Sequence, residues 1–463
     1  YNVPGGMATY RKTLTLSFFF KFWKFIIKNY LNDNPSIVIK DVSIESAKTD
    51  DALNEVTRND KKGHRDLDTP FEYKLIGKSN PHLSALKQVT GEAQYTDDIP
   101  PQHGELFAVQ VLCEKAHAKI VSVDWSAIYD VETVTGYIDI NDLPSKEANY
   151  WGPLPFGKES FLADSIVEYY GQTIGVVLAT DREKAYEASR LVKVEYEELP
   201  SIISVEDGVK AKSFFPDERS IELGDCQSAF KNSKYVFEGE VKFGAQEHFY
   251  FETQGSLVIP EEDGEMKVYA STQNPTETQE YAARVTGVPS NRIVVRTKRL
   301  GGGFGGKESR SVQFSSLCCI AAKKFKKPIR MILSRYEDML ISGQRHPFYM
   351  KYKVSLDENY KFTGLDINLY ANAGFTMDLT RGVIDRAVFH ACNCYFIPNA
   401  RICGIPVKTN TASNTAYRGF GGPQGMYAME SIIVNVSEQL QIDSELIRDI
   451  NYFNKGDITP YKQ

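Results

Sequence analysis

No C-x-x-C pair occurs anywhere in the 463 residues, and the seven histidines are scattered with no two at ligand spacing. Neither an iron–sulfur cluster within this segment nor a zinc site finds support in such a pattern. The seven cysteines are odd in number, with Cys318 and Cys319 adjacent in an apolar stretch and Cys392 and Cys394 flanking one residue. That usage fits reduced thiols of an intracellular protein, not a disulfide framework. A basic excess is missing as well. A net charge of −6 and a pI near 5.8 argue against a nucleic-acid surface or a basic membrane-binding face. Long uncharged apolar runs are also lacking: from Leu14 to Leu31 the chain is interrupted by Lys21, Lys24 and Lys28, and its longest neutral stretch is Thr13 to Phe20. A bilayer requires about 20 largely apolar residues, so this segment reads as an amphipathic helix with its lysines on one face. No signal-peptide architecture is visible, and a chain that opens at Tyr1 is expected to be a fragment.

What is present is enough material for two or three domains, with an ordinary 42% apolar and 25% charged content. The most informative stretch is Arg299-Leu300-Gly301-Gly302-Gly303-Phe304-Gly305-Gly306-Lys307-Glu308, between a β-branched run (Ile293 to Arg296) and a segment with helical spacing. Glycine accepts positive φ and lets main-chain N–H groups approach a bound group, so such a loop reads as an anion cradle. A P-loop is excluded by Glu308, which stands where Ser or Thr must hold magnesium. The dinucleotide fingerprint needs an acid about 20 residues on; after Glu308 the next acidic residue is Glu337. A nucleotide-binding module using this loop alone is thus opposed twice, and a plain strand-to-helix turn stays open beside it.

Along the chain, a polar tract from about Asn32 to Asp68 has too few large apolar residues to offset chain entropy and is expected to be a linker. Phe107 to Leu112 and Thr173 to Leu178 have buried-strand character, Asp181 is placed to cap a helix from Glu183 to about Leu191, and Val192 to Tyr196 alternates as a half-buried strand. Turn signals at 262–265 and 357–359 predict two hairpins, and helices are predicted over Thr278 to Val285 and Ser311 to Lys324. The mixture argues for an α+β fold without a repeating βαβ sheet.

Four segments in order, Gln246-Glu247-His248-Phe249, Ser271-Thr272-Gln273-Asn274-Pro275-Thr276, the glycine loop, and Asn414 to Gln424 (Asn-Thr-Ala-Tyr-Arg-Gly-Phe-Gly-Gly-Pro-Gln), together resemble the molybdopterin-binding portion of the xanthine dehydrogenase and aldehyde oxidase family. Gln88 to Asp98 resembles the opening of that family's α/β hammerhead domain, and Pro4 to Leu14 the end of its FAD domain. The resemblance implies this layout: residues 1–31 as the end of an FAD domain, 32–80 as polar linker, 81–205 as the hammerhead domain, and 206–463 as the first, truncated part of the mixed α/β molybdopterin-binding domain. It implies Gln273, Asn274, Phe304, Gly305 and Arg418 as cofactor contacts, with Gln273, Phe304 and Arg418 around molybdenum more as neighbours than as direct ligands; Gln246 lies in a similar motif. Glu308 and Arg386 match positions that are charged in purine-oxidising members and uncharged in aldehyde-oxidising ones, and Phe420 is implied to contact one face of the substrate.

By themselves these residues are bland. Glu308 reads as an acid at a helix N-terminus, Arg386 as one half of an ion pair with Asp385 or Asp378, and loop amides as backbone partners. Within the family they acquire roles that the chemistry supports: a carboxyl exchanges a hydrogen bond with a ring nitrogen, and a guanidinium stabilises charge growing on an oxygen. The implied reaction is oxidative hydroxylation of a purine at a carbon beside a ring nitrogen. Its electrons pass through 2Fe-2S clusters and FAD to NAD+ or oxygen, in a homodimer of cytoplasmic or peroxisomal location. The family's general-base glutamate is expected beyond Gln463, so the segment alone is expected to be inactive; an aldehyde oxidase of the same family is the alternative.

Overall fold

The computed structural model describes residues 8–26, 80–152 and 158–463. The chain divides into two compact units, Tyr1–Ala85 and Leu86–Gln463. Of the first, the described part is a helix, Ala8–Ile26, with Leu14, Phe18, Phe19 and Trp23 exposed. The predicted extension to Leu31, most of the linker, and the first residues of the Pro4 motif lie outside the described residues. No helix among the described residues is long and apolar enough to cross a membrane.

The second unit is built on two sheets. The larger has seven strands in the order Ile293–Arg296, Met266–Ala270, Gly255–Pro260, Ile329–Ile332, Leu106–Leu112, Thr173–Ala179, Val134–Ile138. Thr173–Ala179 reads Thr-Ile-Gly-Val-Val-Leu-Ala and is buried at all seven positions. A strand covered on both faces needs such a continuous apolar run. Alternation sends Val176 and Leu178 into one core and Val177 into another. The predicted hairpin forms between Gly255–Pro260 and Met266–Ala270. Leu106–Leu112 pairs in parallel with Ile329–Ile332, so strands on both sides of the expected boundary near residue 205 share one sheet. A three-stranded sheet, Ile166–Val167, Ala118–Asp124, Lys193–Glu198, flanks it. The helix Arg182–Ser189 is capped by Asp181, which accepts from the Lys184 N–H at 2.9 Å.

Against the large sheet packs the helix Ser311–Phe325, whose residues Ser311 through Ala322 are all buried. Leu317, Ile320 and Ala321 join Val258, Val268 and Met331 in one core, where each large side chain contributes about 1.5–3 kcal/mol. This helix follows the glycine loop directly, so its burial pins the loop against the sheet. The second sheet runs Tyr235–Phe243, Phe348–Leu356, Phe362–Gly374, Ala400–Lys408, Arg219–Leu223. Its one parallel pair, Phe362–Gly374 with Ala400–Lys408, is connected through the helix Thr380–His390. That helix buries Val383, Ile384, Ala387 and Val388 beside Ile432 and Ile433 of the helix Gly422–Leu440. All seven cysteines are free thiols.

Candidate functional site

The glycine loop is not an open cradle. Gly301 N–H donates to Glu252 Oε2 at 2.7 Å. Gly305 and Lys307 N–H both donate to Gln273 Oε1, at 3.0 and 3.2 Å. Gly306 and Glu308 N–H bond within the loop. Five amides that could have held a phosphate are therefore occupied. Lys307, the counterpart of a P-loop lysine, is fully buried. Its Nζ donates to Glu252 O and Ser271 Oγ at 2.6 and 2.7 Å, 4.4 Å from the Tyr250 ring centroid. Burial brings its pKa down to about 8, against the pull of Glu252 3.6 Å away. An anion-binding loop for nucleotides is incompatible with this arrangement.

What the loop does instead is orient Gln273. With its oxygen fixed by two amides, the side chain has only its NH2 group left to donate. Close approach explains the glycines here: a Cβ on Gly303 would lie 2.5 Å from Gln273 Oε1, and one on Gly305 2.5 Å from Ala416 O. The loop is stitched to the 414–420 segment by Arg418 N–H donating to Phe304 O at 2.8 Å. Beneath that segment lie His248, part of the first motif but given no role from sequence, and Arg345, which carried no signal in the sequence. His248 Nε2 bonds Ala416 O at 2.7 Å, which makes Nε2 the protonated nitrogen, and burial lowers the pKa of its ring. Arg345 donates to Arg418 O at 2.8 Å and to Gln246 Oε1 at 2.5 Å, and its guanidinium lies 4.0 Å from the Tyr417 ring centroid. Gln246 is thus a strut for Arg345. Asn274 caps the helix Pro275–Thr286, accepting from Glu277 N–H at 3.2 Å, so its oxygen serves the fold.

Phe304 and Phe420 occupy left-handed backbone, with φ of 53° and 48°. For a residue with Cβ this costs about 1–2 kcal/mol each, and such strain collects at functional sites. Phe304 is 46% exposed. Phe420 is half-buried and lies on the helix Thr380–His390, where a Cβ on Gly382 would meet its ring at 2.8 Å. Arg386, four residues on, shares that helix face. It is exposed and forms no ion pair with Asp385 or Asp378. The paired-arginine reading is corrected: Asp385 pairs with Arg219 at 3.2 Å, because neighbouring helix residues point about 100° apart. Glu308 is half-buried. Burial, and secondly the charge of Asp378, raise its pKa. Asp378 itself is 4% exposed, and neither carboxyl oxygen has a partner among the described residues.

Two residues past Glu308, the fully buried Arg310 makes two bonds to Glu159 at 2.5 and 2.8 Å. Glu159 also accepts from Thr376 Oγ1 at 3.4 Å. The glycine loop, residue 159 and the 376–378 segment are thereby tied together across more than 200 residues of sequence.

Residues 207–452 match the family described as "Molybdopterin cofactor-binding domain", and residues 90–200 match "Aldehyde oxidase and xanthine dehydrogenase, a/b hammerhead domain". The chain belongs to the xanthine dehydrogenase family. Over its whole length it is 59% identical to a xanthine dehydrogenase from Blastobotrys adeninivorans and 49% identical to one from Emericella nidulans. It is 44% identical to a nicotinate hydroxylase from the same Emericella species. It spans about a third (33%) of the length of these three relatives. The aldehyde oxidoreductase of Desulfovibrio desulfuricans superimposes with a TM-score of 0.78 at 22% identity, covering 85% of this chain and 45% of that one; that of Desulfovibrio gigas gives 0.75 at 24%, covering 82% and 44%. These two share the fold alone; that it is a hammerhead domain followed by part of a molybdopterin-binding domain rests on the family matches.

Proposed function

We propose that this chain forms part of the substrate and cofactor site of a molybdenum hydroxylase that oxidises purines, hypoxanthine to xanthine and xanthine to urate. The full-length homodimer, cytoplasmic or peroxisomal, passes the electrons through 2Fe-2S clusters and FAD to NAD+ or oxygen. The observation that carries the reading is the presence of both a half-buried acid, Glu308, on the loop and an exposed guanidinium in no ion pair among the described residues, Arg386, on the helix face that seats Phe420. A purine presents ring nitrogens and exocyclic oxygens that need such fixed partners, whereas an aldehyde needs neither.

The residues present fit a pterin-held metal. Gln273 is pinned through its oxygen, with no partner for its NH2 among the described residues, Arg418 is exposed with no ion pair among the described residues, and the glycine loop permits close approach. When bound, this cofactor supplies two-electron oxidation with oxygen insertion at carbon. Gln273 and Arg418 would donate to its polar edges, with Phe304, Gly305 and Asn274 beside it. Phe420 holds the heterocycle flat, Glu308 exchanges a hydrogen bond with a ring nitrogen, and Arg386 meets negative charge growing on the exocyclic oxygen.

In the full-length protein, Glu308→Val and Arg386→Met should each lower kcat/KM for xanthine by roughly 10- to 100-fold, the worth of a hydrogen bond to a charged group, while raising activity on aromatic aldehydes. Unchanged ratios between the two substrate classes would overturn the assignment and favour an aldehyde oxidase.

A further inference from the structure

The helix Thr380–His390 carries Arg386 and the Gly382 seat of Phe420, yet it starts without a side-chain cap or an acid in its first turn. Burial of Val383, Ile384, Ala387 and Val388 decides which face turns inward. An apolar stripe does not by itself fix the angle of roll, because the hydrophobic effect is non-directional. One polar tie lies at the first residue, where His346 Nε2 and Thr380 Oγ1 are 2.8 Å apart. Charges supply the rest.

Arg381 and Asp385, four residues apart, lie on one flank of this helix and could pair with each other. Instead, two opposite charges from the turn and strand at 217–223 intercept them. Asp217 Oδ2 lies 3.6 Å from Arg381 Nε, Asp217 Oδ1 lies 3.7 Å from Arg219 Nε, and Asp385 Oδ1 lies 3.2 Å from Arg219 Nε. Arg219 opens the edge strand Arg219–Leu223, in register with Gly404 of the strand beside it. A Cβ on Gly404 would lie 2.3 Å from Ile384 Cγ2, so that glycine lets the helix come close enough for Arg219 to reach it. Neighbouring groups are engaged elsewhere: Glu218 accepts from Cys403 Sγ at 2.8 Å, and Arg401 pairs with Asp366 at 2.7 Å. Asp217 Oδ2 and Arg219 Nε are shielded from water and make no hydrogen bond among the described residues. Opposite charge is what compensates them.

We propose that Arg219 and Asp217 are positioning residues for Arg386: with the helix clamped at residues 381 and 385, its guanidinium is presented to substrate at one fixed angle. Resting on the purine reading, this places part of the specificity for charge growing on an exocyclic oxygen outside the pocket. The ion pairs are partly exposed and make no hydrogen bond, so they add little to stability. Their effect is on angle. Residue 386 follows residue 385 by about 100° around the axis, and a roll of the helix swings the long Arg386 side chain. A misplacement of about 1 Å is enough to cost up to about a hundredfold in rate.

The test uses the full-length holoenzyme with Arg219→Met, Arg219→Lys and Asp217→Asn, each alone and combined with Arg386→Met. Arg219→Met should lower kcat for xanthine roughly 5- to 10-fold with KM changed less than about twofold, since Arg386 acts on charge that grows in the transition state. Oxidation of an aromatic aldehyde, which needs no partner at Arg386, should not fall. Asp217→Asn should move kcat the same way, and Arg219→Lys, which keeps the charge, should recover most of the loss. In the Arg386→Met background, Arg219→Met should change kcat by less than about twofold. Equal falls on xanthine and aldehyde, or full additivity of Arg219→Met with Arg386→Met, overturn the proposal. Amide hydrogen exchange is read without turnover: Arg219→Met should speed exchange over residues 380–390, and unchanged protection there also overturns it. A wild-type enzyme that oxidises no purine refutes the functional reading separately.

Discussion

Glu308 and Lys307 are adjacent in sequence and opposite in environment. Burial and the charge of Asp378 raise the Glu308 pKa, so between the unfolded value near 4.3 and the folded one the native state binds the extra proton. Stability therefore falls as pH rises through that window. Glu308→Gln, neutral at every pH, should flatten that fall and give a higher Tm than wild type at pH 7, measured by calorimetry on the full-length protein. Lys307 has the reverse sign. With its pKa brought down to about 8 from an unfolded value near 10.4, the unfolded chain binds more protons between those limits, and its contribution grows as pH rises from 8 toward 10. Lys307→Met should lose that dependence. It should also lower stability by about 1–3 kcal/mol, because Glu252 O and Ser271 Oγ lose their buried donor.

Single elements set the orientation of the site. The helix Pro275–Thr286 begins at Asn274, next to the glutamine that the loop amides pin, so fraying there would release Gln273. Asn274→Ala should cost about 1 kcal/mol in a denaturant titration and weaken cofactor retention. Asn274→Asp, which keeps the cap, should restore stability. The helix Ser311–Phe325 has no side-chain cap at Arg310; its start is fixed by the buried Arg310–Glu159 pair. Removing one partner with Glu159→Gln leaves an uncompensated charge and should cost about 3–5 kcal/mol, whereas Glu159→Gln combined with Arg310→Met should recover part of the loss.

At the scale of the molecule, the hammerhead and molybdopterin-binding regions share a sheet through Leu106–Leu112 and Ile329–Ile332. Residues 86–463 accordingly form one compact unit and should unfold in one transition. Deleting 90–200 from the full-length protein would bare the edge of Ile329–Ile332, and the product is expected to aggregate, as exposed strand edges do; a soluble, monodisperse deletion product on size-exclusion chromatography would contradict this.

Local pattern by itself determined the strands at 107–112 and 173–178, both hairpins, the Asp181 start of a helix, and the case against a nucleotide loop. The Asn274 start of the helix Pro275–Thr286, predicted only from Thr278, came from the structure. Each locally determined feature depends on neighbours within a few residues: alternation, turn chemistry, a cap, a missing hydroxyl. Ordered motifs likewise brought Gln273, Phe304, Glu308 and Arg418 to notice. Tertiary structure alone decided that Lys307 is buried beside Glu252, that Asp385 turns to Arg219, that Arg310 finds Glu159, and that the buried Asp378 carboxyl has no partner among the described residues. The reason is physical. Burial and charge pairing arise between residues tens to hundreds of positions apart, and neither composition nor periodicity encodes which distant groups the folded sheets bring within electrostatic reach.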